Sequence, residues 1–66
     1  MAKNVTGQIL GGDPEAGIAA DTVLEVFEAL GLDGAYTATI NGEPAEMEDS
    51  LDEYSFVCFS PAVKGG

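Results

Sequence analysis

One stretch of this chain has the period of a helix. In DTVLEVFEALGLDG, residues 21–34, Val23, Val26, Phe27 and Leu30 recur at i, i+3, i+4 and i+7 and draw a single apolar stripe. Thr22 and Glu25 form a T-x-x-E capping box, in which the hydroxyl accepts from the amide three residues on and the carboxylate reaches back. Gly31 suits the left-handed position that ends a helix, and Leu32 follows to fold back on it. The spacing predicts a helix over residues 23–30. Such a helix must bury its stripe against another element, and which one depends on what the rest of the chain forms.

The remaining apolar residues alternate. KNVTGQIL, residues 3–10, reads as a strand with Val5 and Ile9 on one face and Gly7 as its weak point. GGDPEAG, residues 11–17, is dense in turn formers, and a short strand is expected at residues 18–20. AYTATI, residues 35–40, alternates again and runs into Asn41-Gly42, the dipeptide of tight hairpins. EPAEM allows at most a short edge strand, because Pro44 cannot donate to a ladder. EDSLDE reads as a polar loop with Leu51 turned inward, and SFVCFS, residues 55–60, as the last and most apolar strand. The expected class is α+β, with one helix packed across a four- to five-stranded mixed sheet. Residues 1–61 are expected to form the domain and residues 62–66 a flexible tail.

Length and charge limit the function. A chain of 66 residues supports one small core and buries only about 60% of its unfolded surface. Twelve carboxylates stand against Lys3 and Lys64, for a net charge of −10. Such a surface repels phosphate backbones and anionic lipid, so neither a nucleic acid nor a membrane is expected as partner, and the chain is expected to be monomeric. A partner should offer a basic or apolar face. Cys58 is alone, so no intramolecular disulfide forms, and a reducing cytoplasm is the expected location. Residues 1–4 lead into no apolar run of signal-peptide or membrane-span length.

Three stretches together resemble the ubiquitin-like β-grasp proteins, and within them the ThiS/MoaD-type sulfur carriers. Thr22-Val23 opens a helix that closes in Ala29-Leu30-Gly31, Ile40-Asn41-Gly42-Glu43 is similar to the family's apolar-Asn-Gly-Glu turn, and Leu51 is followed by Phe59 and then Ser60-Pro61-Ala62-Val63-Lys64-Gly65-Gly66. The resemblance spans roughly residues 18–66. Glu53-Tyr54-Ser55 stands where the family commonly has Asp-Gly-Asp. Lys64 stands where its carriers often have Ala, which resembles some small archaeal ubiquitin-like modifiers.

The resemblance implies a diglycine protein that is a substrate and carrier, not an enzyme, and that needs no cofactor or metal. Gly66 would be the activated residue, with Gly65 beside it in the channel of a ubiquitin-activating-type adenylating enzyme. Glycine suits that role because it has no Cβ to clash and adopts unusual dihedrals freely. The acyl-adenylate would go on to a thiocarboxylate for sulfur transfer in cofactor synthesis or tRNA thiolation, delivered to a sulfur-accepting enzyme. In the modifier alternative, lysines of target proteins take the acyl group. Pro61 would stiffen the base of the tail.

Alternation along the last strand puts Val57 and Phe59 on one face and Phe56, Cys58 and Ser60 on the other. The resemblance makes Leu51, Val57 and Phe59 core. Phe56 and Cys58, with Val63 in the tail, then form a candidate docking surface on the open side of the sheet. The competing expectation is that Tyr36 or Tyr54 covers Phe56. A non-covalent β-grasp interaction module using this face is the remaining alternative.

Other constellations carry less. Cys58 has no His or Arg to activate it and suits a small apolar filler. Glu43, Glu46, Glu48, Asp49, Asp52 and Glu53 lack the calcium-loop pattern and read as a solvated acidic face. GGDPEAG lacks the Lys and Ser/Thr of a phosphate-binding loop and precedes a strand. Lys3 and Lys64 are the side chains open to self-conjugation.

Overall fold

A computed structural model describes residues 2–62. The helix α1, Val23–Ala29, forms where its period predicts, with Leu30 as its C-cap. Thr22 is extended (φ −133°, ψ 163°) and its Oγ1 accepts from the Glu25 N–H at 3.4 Å. The Glu25 carboxylate reaches back to the Asp21 N–H at 2.6 Å, one residue beyond the usual partner in a capping box. At the other end the Gly31 N–H donates to Glu28 O at 3.0 Å and the Leu32 N–H to Phe27 O at 3.3 Å. With Gly31 at φ 70° this is a Schellman stop. Seven residues are too few for a helix to stand alone in water, so packing holds it.

The helix lies on a five-stranded mixed sheet. The strands are β1 Lys3–Ile9, β2 Glu15–Ala20, β3 Tyr36–Ile40, β4 Glu43–Ala45 and β5 Phe56–Pro61, in the order β2-β1-β5-β3-β4. β1 and β5 run parallel, and the other pairs are antiparallel. Asn41 (φ 52°) and Gly42 (φ 89°) make the two-residue turn between β3 and β4, with both central residues at positive φ as a primed hairpin turn requires. β4 is a three-residue edge in which Pro44 faces Thr39.

Two expectations change. β2 begins at Glu15 rather than at residue 18, because backbone pairing continues past the apolar residues through a register shift opposite Thr6. Such a bulge lets one strand carry an extra residue without ending the ladder. Gly7 is not a weak point. It is buried, and a Cβ there would meet Val26 Cγ1 at 2.8 Å, Ile18 Cδ1 at 3.1 Å and Leu30 Cδ1 at 3.2 Å. The missing side chain is what lets the helix approach β1.

The core between helix and sheet holds Val5, Ile18, Ala20, Val23, Val26, Ala38, Leu51, Val57 and Phe59. Phe27 meets Phe59 and Tyr36 edge-on, at centroid distances of 5.5 and 5.8 Å. The acidic loop after β4 also has a structural task. Asp49 O and Met47 O accept from the N–H groups of Val23 and Leu24, the free donors of the helix N-terminus. The loop then returns the Leu51 N–H to Asp21 O at 2.8 Å, with the Leu51 side chain in the core. Among the described residues, no helix is long and apolar enough to cross a membrane.

Candidate functional site

β5 sits in the middle of the sheet, and its two faces have different surroundings. Val57 and Phe59 point to the helix and are fully buried. The alternate residues point away from it. Parallel pairing sets Thr6 beside Phe56 and Gln8 beside Cys58. Antiparallel pairing sets Thr39 beside Cys58 and Thr37 beside Ser60 on the other flank. None of the twelve carboxylates lies in β1, β3 or β5. A chain of net charge −10 therefore presents one sheet face built from hydroxyl, amide, thiol and aromatic groups.

Phe56 is 40% exposed on that face. The cover expected from tyrosine is not formed: Tyr36 turns its ring to Phe27 on the helix side, and Tyr54 is 80% exposed. Phe56, Cys58, Gln8, Thr39, Asn41 and Gly42 line a shallow depression. Asn41 fixes its rim. Its Oδ1 accepts from the Phe56 N–H at 2.9 Å, and its own N–H donates to Phe56 O at 2.7 Å. Phe56 is thus held at the start of β5 by a side chain from the β3–β4 turn.

Phe56 and Cys58 come together as their alternation predicts. Gln8, Thr39 and Asn41 were not among the candidates. Alternation within β1 and β3 already set Gln8 and Thr39 off from their apolar neighbours, but which strand flanks β5 is a matter of sheet order, which no local pattern encodes. Cys58 is half-buried between Gln8 and Thr39, neither of which carries charge. Among the described residues, no group of His, Cys, Asp and Glu is placed to hold a metal ion.

The pairing of β5 with β3 ends at Pro61 opposite Tyr36, and the Ala62 N–H still donates to Ala35 O at 3.0 Å. The ladder contacts thus continue into the first residue assigned to the tail. Val63, Gly65 and Gly66 lie outside the described residues.

Comparison with protein-family models, with curated proteins and with solved structures gave no match to this chain.

Proposed function

We propose that this chain is a sulfur carrier of the ubiquitin-like β-grasp type, activated at the carboxylate of Gly66. The observation that carries the reading is the position of β5. One central strand supplies buried Val57 and Phe59, shows Phe56 and Cys58 on an uncharged face, and is the last strand before Gly65-Gly66 in the sequence. Supporting it, a single helix crosses a mixed sheet whose first and last strands run parallel side by side. The middle residue of Glu53-Tyr54-Ser55, where the resembled family carries Gly, has φ 64°. That is a backbone state glycine favours, which is compatible with a glycine at this turn position.

In this reading the chain is a substrate. A Gly66 carboxylate oxygen attacks the α-phosphorus of ATP on a partner enzyme, and pyrophosphate leaves. Hydrosulfide from the sulfur donor then attacks the acyl carbon and AMP leaves, giving a thiocarboxylate with no change of oxidation state. The activation is needed because a carboxylate is a poor acylating agent until it bears a good leaving group. Phe56 and Cys58 give the enzyme an apolar docking point free of like charge, and the surrounding carboxylates favour a basic rim on the partner.

Lys64 before the diglycine favours a second reading, in which the activated acyl group passes to lysines of other proteins. One experiment separates the two. The chain is incubated with an adenylating enzyme of its host, ATP and a sulfur donor, and intact masses are recorded. Sulfur-for-oxygen exchange at the C-terminus, lost on deletion of Gly66, is the expected result. Gly-Gly remnants on target lysines without that exchange would move the chain to the modifiers. Neither product with any adenylating enzyme of the host contradicts both.

A further inference from the structure

We infer that Asn41 is a latent modification site, a deamidation centre held closed by Phe56. The inference does not rest on the proposed carrier role. Asn41 precedes Gly42, whose backbone nitrogen has no neighbouring Cβ to hinder attack on the Asn41 Cγ. In that reaction the Gly42 N–Cγ bond forms and the Cγ–Nδ2 bond breaks. Ammonia departs with the Gly42 amide proton, leaving a five-membered succinimide. Water then adds to one of the two imide carbonyls and opens the ring to an aspartyl or an isoaspartyl residue. The sum is hydrolysis of an amide to an acid, with water as the co-reactant and no change of oxidation state.

The fold opposes the first step at defined atoms. Cγ must swing toward the Gly42 nitrogen, and Oδ1 cannot make that swing while it accepts from the Phe56 N–H at 2.9 Å. The Asn41 N–H is tied to Phe56 O at 2.7 Å, and the Ile40–Glu43 pair closes the turn beneath it. The restraint is local, because the far side of the turn is a three-residue edge strand containing Pro44. Short edges open at low cost compared with the core. Deamidation therefore proceeds from the fraction in which the Asn41–Phe56 bonds are open, and that fraction scales its rate.

The product changes the candidate face. Aspartate at position 41 keeps an oxygen for the Phe56 N–H but brings a carboxylate to the rim of a depression that has none. Isoaspartate lengthens the backbone by one carbon, which a two-residue turn cannot absorb. Asn4, the other asparagine, is an internal control, since β-branched Val5 follows it within β1.

The test follows deamidation by peptide mapping of the full chain at mildly alkaline pH across a urea series. Hydrogen exchange of the Phe56 amide is read in parallel. Product should collect at Asn41 and not at Asn4, about tenfold or more slowly in buffer than in denaturing urea. Its urea dependence should match that of Phe56 exchange, because one opening exposes both groups. Equal rates in buffer and in denaturant, or deamidation whose urea dependence departs from that of the Phe56 amide, would overturn the inference.

Discussion

Gly7 on β1 and Val26 on α1 are packed backbone against side chain, so that a Cβ on Gly7 would lie 2.8 Å from Val26 Cγ1. Helix and sheet meet here without room for a methyl group. Gly7→Ala should destabilise the protein by about 1–3 kcal/mol, the usual cost of overpacking. Combining it with Val26→Ala should cost less than the sum of the single changes, because the second removes the atom the first strikes. Urea unfolding of the four proteins measures this; strict additivity would mean that the pair is not in contact.

Tyr54 sits at φ 64° with its side chain 80% exposed. A bulky residue in the left-handed region costs roughly 1–2 kcal/mol, and little side-chain packing offsets it here. Tyr54→Gly should raise stability by about 0.5–1 kcal/mol, part of the gain being lost to the greater freedom of glycine in the unfolded chain. A lower urea midpoint for the variant would show that the ring contributes more than its exposure suggests.

The helix, both of its stops, the tight hairpin and the inward turn of Leu51 were legible in the sequence, because each depends on residues close together in the chain. Gly7 was misread for a related reason. Glycine weakens an isolated strand, and only the neighbour across the layer shows that its small size is needed. The task of residues 46–51 was equally hidden: Met47 and Asp49 serve the helix through their carbonyls, which every residue has, so their side chains announce nothing. At the candidate site, alternation separated Phe56 and Cys58 from Val57 and Phe59. The flanking of Cys58 by Gln8 and Thr39 required the sheet order, in which β5 pairs parallel with β1 and antiparallel with β3.

Phe56→Lys should separate folding from recognition. The ring is on the helix-free face and 40% exposed, so stability should change by less than about 1 kcal/mol. A lysine there sets a positive charge against a partner surface proposed to be apolar with a basic rim. Adenylation of the variant should fall by about tenfold or more, with thermal unfolding nearly unchanged. Activation at the rate of the unchanged protein would remove this face from the docking surface.

Twelve carboxylates on a 66-residue chain repel one another. Among the described residues the ion pair is Lys3–Asp21, at 3.8 Å between side chains 40% and 47% exposed, which adds little. Added salt should therefore stabilise the fold, since it screens repulsion between exposed charges farther apart than the Debye length, about 10 Å at 0.1 M. The urea midpoint should rise with sodium chloride and with potassium chloride alike. A midpoint that falls or stays level would show that attraction balances the repulsion.

The central claim concerns the chemistry of Gly66, and the most direct measurement is the intact mass of the endogenous protein isolated from its host under conditions that preserve thiocarboxylates. The account predicts a chain ending at Gly66, a fraction of which carries sulfur in place of one carboxylate oxygen and loses it on mild oxidation. A chain extending past Gly66 in its mature form, or one whose terminal acid is always free and unconjugated, would contradict it.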